Sequence, residues 1–325
     1  MAKVVALTSL TAVVLTAAGR LLYRRWFHTP ANYVRELNRQ YYKEAGVEAK
    51  RQQVGPHNFA YLEKGTPTTE RPSLLFVHGF TGEKENWLFV LKRLPAERHA
   101  IAVDLLGHGD STDYPDDPSI RNQAQTVKKF VDTVGLQKPF LIIGQSMGGA
   151  IVGNYAAMYP EDVATVTLLC PLMKTPTPST MIADAKAGRT TALQDAFSPE
   201  AVQYMLDQCS VEKREYPRVL LEGIAELRRR HEAFFGKLYF ALGKHENRTA
   251  LETSLPKITV PVHVLWGDQD QIVHVSGTEV IEKVSPRSKI TIIKNKGHSL
   301  NVECPQIVVD SVLDSTRGTT PKSSL

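Results

Sequence analysis

The stretch Phe140–Gly149, FLIIGQSMGG, joins an apolar run to a glycine-rich turn with a serine at its centre. Phe140–Ile143 has the composition of a buried strand, and the residues from Gly148 onward have helical spacing. At a strand-to-helix turn, the glycines of a G-x-S-x-G pattern remove side chains that would collide with the neighbouring strand and helix. The stretch therefore predicts that Ser146 is a nucleophile, exposed at a helix N-terminus where the helix dipole stabilises a developing negative charge.

Comparable apolar runs recur along the chain and alternate with stretches of helical spacing. The runs are Leu74–Val77, Ile101–Val103, Phe140–Ile143, Val163–Leu169, Val262–Trp266 and Ile290–Ile293. Uniformly apolar strands that alternate with helices predict an α/β fold, a mostly parallel sheet with helices on both faces. Between Cys170 and Thr259 no comparable run occurs, so this segment, with helices near Pro199–Gln208 and Tyr216–Phe235, predicts an inserted helical cap.

A serine nucleophile needs a base and a group that orients the base, and both are expected in loops that follow strands. His298 comes just after the last apolar run, and the loop after Val262–Trp266 contains Asp268 and Asp270. Asp270 is the favoured acid because it lies deeper in the loop, with apolar residues behind it, whereas Asp268 is the alternative. We therefore predict a Ser146, Asp270 and His298 triad, which needs no metal and no cofactor.

Two backbone N–H groups should form the oxyanion hole beside Ser146. One is expected from Met147, directly after the nucleophile, and the other from Phe80 in the loop that follows Leu74–Val77. His78 is predicted to hold this loop through hydrogen bonds without titrating during the reaction. The histidines His28, His99 and His245 are predicted at the surface.

The net charge of +5 is concentrated at the N-terminus. Residues 1–51 contain nine Lys and Arg against three Glu, a balance of +6, so the remaining 30 basic and 31 acidic side chains balance to −1. A nucleic-acid enzyme spreads its basic residues over a folded face, so the neutral body excludes that class of partner. The three cysteines, Cys170, Cys209 and Cys304, are too few and too far apart for a disulfide framework.

An apolar segment precedes this basic region. Residues 4–19 carry no charge, and a helix extended to Tyr23, with Arg20 reaching the head groups, would be about 30 Å long. That length spans a bilayer, and the basic residues that follow favour a cytosolic C-terminal flank. The segment predicts a single-pass membrane anchor with the catalytic domain in the cytosol. A cleaved signal peptide and a helix that lies in the interface are the alternatives.

One set of short motifs extends over most of the chain: His78–Phe80, Lys84, Trp87, Gln145–Gly149, Cys170-Pro171, Leu206–Ser210, Trp266–Gln271, Val275–Gly277 and Gly297–Ser299. Taken together, these motifs resemble the α/β-hydrolase superfamily over residues 55–315, and more closely the membrane-anchored monoacylglycerol lipases of the α/β-hydrolase-domain family. This resemblance implies an eight-stranded type of sheet and hydrolysis of monoacylglycerols, often also of lysophospholipids, with Ser146, Asp270 and His298 as the triad. Gln145 departs from the family pattern without changing the expected chemistry. The cap sequence departs most, which leaves the preferred acyl-chain length open.

These observations predict five regions. Residues 1–30 are the membrane anchor, 31–54 a linker helix, 55–170 and 259–315 the core, 171–258 the cap, and 316–325 a polar tail. Two alternative functions remain: a carbon–carbon bond hydrolase of the same fold, and a membrane-tethered binding or scaffold protein. The sequence leaves the organelle and the oligomeric state open.

Overall fold

Eight strands form one sheet within residues 29–314, which the computed structural model describes apart from residues 112, 190 and 192. The strands are β1 (Val47–Val54), β2 (His57–Lys64), β3 (Leu74–Val77), β4 (Ala100–Val103), β5 (Phe140–Gln145), β6 (Val163–Leu169), β7 (Val262–Gly267) and β8 (Lys289–Ile293). Their order is β1-β2-β4-β3-β5-β6-β7-β8, and all neighbours from β4 to β8 pair in parallel. The predicted mostly parallel sheet is confirmed, and each predicted apolar run lies in a strand. The inner strands are mainly apolar because helices cover both of their faces, whereas the edge strand β8 is buried only at Ile293.

The hairpin of β1 and β2 is the part of the sheet that the apolar runs do not indicate. β1 pairs antiparallel with β2, which pairs antiparallel with β4. Only the terminal valines of β1, VEAKRQQV, are buried, so this edge strand is polar along most of its length. The linker helix predicted over residues 31–54 is therefore shorter than expected, because residues 47–54 form β1.

Thirteen α-helices lie within the described residues. They are α1 (Pro30–Ala45), α2 (Leu88–Arg93), α3 (Ile120–Val134), α4 (Met147–Met158), α5 (Thr180–Lys186), α6 (Pro199–Cys209), α7 (Arg218–Arg229), α8 (Glu232–Gly243), α9 (His245–Arg248), α10 (Ala250–Ser254), α11 (Gly277–Val284), α12 (Leu300–Glu303) and α13 (Pro305–Asp314). Helices α3 and α10 contact α4, which packs against β3, β5 and β6, whereas α1, α12 and α13 contact α2. These two separate groups of helices cover the sheet.

Helices α5 to α10 follow β6 and precede β7, in the segment predicted as a cap. Part of this segment has its own small apolar cluster, which contains Ala196, Val202, Met205, Leu221 and Ala225. The single helix predicted over Tyr216–Phe235 is wrong, because the chain breaks at Arg230 and His231 into α7 and α8. At this break His231 is buried, and its Nε2 lies 2.9 Å from the carbonyl oxygen of Gly109 in the core.

Helix α1 packs against α7. Ala31 and Val34 form a buried cluster with Leu227, and the Ala31 N–H donates to Glu226 Oε2 at 3.1 Å. The two helices approach so closely that a Cβ at Gly223 would lie 2.2 Å from the carbonyl oxygen of Pro30. The helix that follows the predicted anchor is thus joined to helices of the inserted segment.

Two predictions concern residues outside those described: the membrane span over 4–23 and the polar tail over 316–325. Within the described residues, no helix combines the length and the apolar character that crossing a bilayer requires. His28 also lies outside the described residues.

The prediction that His99 lies at the surface is wrong. Its ring is buried, with Nδ1 at 2.7 Å from Ser73 Oγ and Nε2 at 3.0 Å from Glu63 Oε1. His99 immediately precedes β4, so hydrogen bonds to neighbouring elements satisfy its ring nitrogens. His245 is exposed, as predicted.

Candidate active site

Ser146 occupies the sharp turn between β5 and α4. Its backbone has φ 53° and ψ −121°, a strained conformation for a residue with a Cβ. A Cβ at Gly144 would lie 2.3 Å from the carbonyl oxygen of Gly148, and a Cβ at Gly148 would lie 2.3 Å from that of Val77. The strand, the turn and the helix therefore approach too closely for a side chain at position 144 or 148, and both positions require glycine.

His298 and Asp270 lie together at the ends of neighbouring strands. His298 Nδ1 is 2.8 Å from Asp270 Oδ2. The other carboxylate oxygen, Oδ1, accepts hydrogen bonds from the backbone N–H groups of Ile272 at 2.8 Å and Val273 at 3.0 Å. These two bonds orient the carboxylate toward the imidazole.

Asp268, the other acid candidate, has different partners. Its Oδ1 accepts a hydrogen bond from the backbone N–H of Asn295 at 2.8 Å, and its Oδ2 lies 3.4 Å from Lys294 Nζ. Asp268 thus links the loop after β7 to the loop after β8. Of the two acids, Asp270 is the one that contacts His298.

The two residues predicted for the oxyanion hole flank Ser146. Met147 is the first residue of α4 and is fully buried. Phe80 lies in the loop after β3, and a Cβ at the preceding Gly79 would lie 3.0 Å from Ser146 Cβ and 3.5 Å from Ser146 Oγ. This loop therefore passes directly against the serine, and Thr81 completes it with a φ of 57°.

A large apolar cavity of about 340 Å³ reaches Ser146. Its apolar walls come from Phe80, Met147, Leu172, Met173, Met181, Ile182, Leu193, Leu242, Ile272 and Val273. Several of these residues belong to α5, α8 and the loop between β6 and α5. Such a cavity suits a long hydrocarbon chain.

A smaller cavity of about 100 Å³ also reaches Ser146, and its lining is more polar. The polar side chains in it include Asn86, Gln145, Arg228, His298 and Ser299. Gln145 Nε2 also donates to the carbonyl oxygen of His298 at 3.1 Å, which ties the loop of His298 to the end of β5. The structure thus brings Ser146 and His298 to one polar cavity.

His78 holds the loop that contains Phe80. Its Nδ1 donates to the carbonyl oxygen of Gly79 at 2.8 Å, while its Nε2 accepts from the backbone N–H of Leu105 at 3.0 Å. Burial lowers the pKa of His78 to about 4, so the ring is neutral at physiological pH. The two hydrogen bonds confirm the prediction that His78 holds the loop, whereas its not titrating during the reaction stays a prediction.

Lys84 lies beneath the same loop as a buried ammonium group. Its Nζ is 2.9 Å from Asp104 Oδ2, 2.9 Å from Glu85 Oε1 and 2.8 Å from Asp110 Oδ2. Buried charges require such close partners to offset the loss of hydration. These ion pairs connect the loop after β3 to the loop after β4.

Among the described residues, one group of three possible metal ligands lies within 4.8 Å: Cys170, Asp270 and His298. Burial, together with the neighbouring Asp270 carboxylate, raises the pKa of the Cys170 thiol well above its ordinary value. A cysteine binds a metal as the thiolate, and the Nδ1 atom of His298 is already hydrogen-bonded to Asp270. The donor set therefore favours a hydrogen-bonded group over a metal site.

Arg228 is the residue near Ser146 that the sequence analysis missed. It is buried at the end of α7 and lines the smaller cavity. One signal was present, because Leu221, Ala225 and Arg228 have the spacing of one helix face, and the first two belong to the apolar cluster of the cap. An arginine on that face is expected to be buried.

Comparisons with known proteins agree with this fold. The family model for the alpha/beta hydrolase fold matches residues 72–208. Monoacylglycerol lipase ABHD6 of Rattus norvegicus is 33% identical over 307 residues, which cover 92% of this chain and 86% of that protein. The crystal structure of a membrane phospholipase A, a bacterial virulence factor, is similar with a TM-score of 0.83 and 30% identity, and covers 96% of this chain and 97% of that chain.

A putative lipase from Acinetobacter baumannii AYE is also similar, with a TM-score of 0.78 and 25% identity over 87% of this chain and 97% of that chain. The relatives therefore match this chain over most of their own lengths as well as over most of its length. An identity of 33% over 92% of the chain is far more than a shared fold requires. The chain belongs to the α/β-hydrolase family of the monoacylglycerol lipases ABHD6.

Proposed function

We propose that this protein hydrolyses monoacylglycerols to a fatty acid and glycerol, and accepts lysophospholipids as related esters. The observation that carries the proposal is the hydrogen-bonded pair of His298 and Asp270 beside a serine in a strained turn, where an apolar and a polar cavity meet. The relatives named as monoacylglycerol lipases support the substrate class.

The reaction follows from the positions of these groups. Ser146 Oγ attacks the ester carbonyl carbon while His298 takes its proton, and Asp270 keeps the other proton on Nδ1 and stabilises the imidazolium. The backbone N–H groups of Phe80 and Met147 donate to the oxyanion. The imidazolium then protonates the glycerol oxygen as the carbon–oxygen bond breaks, which leaves an acyl group on Ser146.

Water completes the cycle. His298 removes a proton from the water, whose oxygen attacks the acyl carbon, and then returns the proton to Ser146 as the fatty acid leaves. The hydrocarbon chain occupies the cavity of about 340 Å³, where its methylene groups are removed from water. The chemistry needs no cofactor.

We also assign residues 4–23 to a single-pass membrane anchor, with the catalytic domain on the cytosolic side. The support is the uncharged run over residues 4–19 and the basic residues that follow it. The structurally similar phospholipase A is named as a membrane protein, which agrees with this assignment. Monoacylglycerols partition into bilayers, so an anchored enzyme is held where its substrate accumulates.

Substitutions at Ser146 and at the two aspartates test the triad. We expect Ser146→Ala to abolish both monoacylglycerol hydrolysis and labelling by a fluorophosphonate. Asp270→Asn should lower kcat by a factor of about 10⁴, because an amide favours the wrong imidazole tautomer. Asp268→Asn is the matched control and should leave kcat within a factor of about 3, since the partners of Asp268 are Asn295 and Lys294.

The purified variants are compared by circular dichroism and by kcat on one monoacylglycerol. Labelling of the Ser146→Ala protein, or an equal loss of kcat in the two Asp variants, would contradict the assignment.

A vinylogous diketone, the substrate class of carbon–carbon bond hydrolases, should not be turned over. Rapid cleavage of that diketone without ester hydrolysis would favour the alternative function.

A further inference from the structure

Arg228 is a buried cation at the end of α7, and its hydrogen bonds go to backbone oxygens. Nε donates to Ala196 at 2.8 Å, Nη1 to Thr81 at 3.2 Å and Nη2 to Leu193 at 3.4 Å. A guanidinium group carries five N–H bonds, so these three contacts leave two N–H groups of Arg228 for another acceptor.

Among the residues that the structure describes, no carboxylate lies within 4.0 Å of the Arg228 guanidinium, and Glu83 is the acidic side chain whose charge acts on it. Two rings lie near it instead: Arg228 Cζ is 5.8 Å from the centroid of Phe197 and 5.6 Å from that of Phe235. Burial lowers the pKa of Arg228 only to about 10, so the side chain stays charged at neutral pH. Burying such a cation is costly unless oxygen acceptors surround it.

The position of Arg228 indicates which part of the substrate it faces. It lies between a cavity of about 160 Å³ and the polar cavity of about 100 Å³, and it lines the latter together with Ser146 and His298. His298 must protonate the departing alcohol, so the alcohol leaves on the side of the cavity that His298 lines. A cavity of this volume holds several water molecules, and therefore suits a small polyol better than a second acyl chain.

We propose that Arg228 determines leaving-group specificity by donating hydrogen bonds to the free hydroxyl oxygens of the glycerol unit. This inference rests on the proposed function and names the residue that recognises its alcohol. A hydrogen bond from a charged donor is stronger than one between neutral groups. An ethyl ester of the same fatty acid has no hydroxyl to accept it, so Arg228 favours glycerol esters over simple alkyl esters.

Because Arg228 also bonds to Thr81 beside Phe80, its substitution has a structural effect that the experiment must separate. The test therefore compares two esters of one fatty acid, the monoacylglycerol and the ethyl ester, through kcat/KM. This constant reports acylation, before the alcohol has left. Effects on Ser146, on the apolar cavity or on the Thr81 loop are common to both esters and cancel in the ratio.

The variants are Arg228→Met, which removes every donor, and Arg228→Lys, which keeps a charge without the planar fork. Arg229→Met is the matched control, because Arg229 is exposed and donates to the carbonyl oxygen of the neighbouring Phe197 at 2.8 Å. For Arg228→Met we expect the ratio of kcat/KM, monoacylglycerol over ethyl ester, to fall by a factor of about 10 to 100. Arg228→Lys should lower it less, and Arg229→Met should leave it within a factor of about 2.

The outcomes separate the two proposals. An unchanged ratio in the folded Arg228 variants, with both esters slowed equally, would overturn the inference and leave the proposed function intact. A wild-type protein that hydrolyses both esters equally well would also overturn the inference and leave the proposed function intact. Hydrolysis of neither ester by the wild-type protein would overturn the proposed function itself. If Arg228→Met does not fold, Arg228→Lys supplies the comparison, and a smaller drop in its ratio still supports the inference.

Discussion

At the scale of single residues, burial determines the protonation state of the histidines under the active-site loop. Burial lowers the pKa of His78 to about 4 and that of His108 well below its ordinary value, and the two ring centroids lie 4.9 Å apart. A neutral imidazole can donate from one nitrogen and accept at the other, as His78 does between Gly79 and Leu105. A protonated ring would lose the second bond, so the loop depends on the neutral form.

This dependence predicts how stability changes with pH. The unfolded chain, with a histidine pKa of about 6.5, binds more protons than the folded chain between that pH and 4. The stability that neutral His78 contributes is therefore complete above about pH 6.5 and is lost as the pH falls toward the folded pKa of about 4.

We expect the cost of His78→Gln, measured as the free energy of unfolding in urea, to be smaller by about 2 kcal/mol at pH 4.5 than at pH 7. The wild-type protein loses the contribution of His78 over this interval, whereas the variant has none to lose. His245→Gln, at an exposed position, is the control and should have the same small effect at both pH values. A pH-independent cost of His78→Gln would show that burial does not hold this ring neutral.

Local sequence patterns pointed to the residues of the candidate site that directly follow strands. Ser146, Asp270 and His298 each follow an apolar run, and parallel strands bring their carboxyl ends to one edge of the sheet. Arg228 was out of reach because its neighbours, Thr81 and Ala196, come from distant parts of the chain. Local patterns show that a side chain is buried on a helix face, but not which cavity it lines.

At the scale of elements, the central strands could be predicted from local sequence, whereas the edge strand β1 and the packing of distant helices could not. Central strands such as β5 are apolar throughout because helices cover both faces, whereas the edge strand β1 is mostly exposed and has no apolar run. The linker helix predicted from residue 31 onward corresponds to α1, but its packing against α7 depends on the tertiary fold. In the sequence, that close packing is reflected mainly in the glycine at position 223, where a side chain would not fit.

The contact between α1 and α7 can be tested by substituting two glycines, one inside the contact and one outside it. A Cβ at Gly223 would lie 2.2 Å from the Pro30 carbonyl oxygen, so Gly223→Ala should lower the free energy of unfolding by about 1–3 kcal/mol. Gly236 in α8 has nothing within 4 Å of its Cβ position, so Gly236→Ala should raise that free energy by up to about 1 kcal/mol through helix propensity. Urea titrations of both variants measure the two effects. The same sign for both would mean that α1 does not pack closely on α7.

At the scale of the whole molecule, the charge distribution and the first helix describe how a membrane anchor would be attached. The basic excess lies within residues 1–51, while the rest of the chain is nearly neutral. Helix α1 starts at Pro30 and packs on α7, the same helix that carries Arg228 to the polar cavity. An anchor that precedes Thr29 would therefore be joined, through one packed helix, to the helices that cover the substrate cavities.

Removal of residues 1–28 leaves Thr29, whose side chain accepts a hydrogen bond from the backbone N–H of Asn32 and so caps α1. The catalytic domain should therefore stay intact, and kcat/KM on a water-soluble short-chain ester should match that of the full chain. With monoacylglycerol in phosphatidylcholine vesicles, we expect the rate to fall by a factor of about 10 or more, because membrane attachment raises the local substrate concentration.

A full-length control tests whether insertion itself is what matters. Val14→Arg places a charge near the middle of the apolar run, at a cost of about 3 kcal/mol for insertion, and should reproduce the loss on vesicles but not on the soluble ester. Flotation of the vesicles measures binding of each protein in parallel with its rate. Equal rates of the full and shortened chains on vesicles would contradict the anchor, because an enzyme that reaches its lipid substrate from solution gains nothing from residues 1–28.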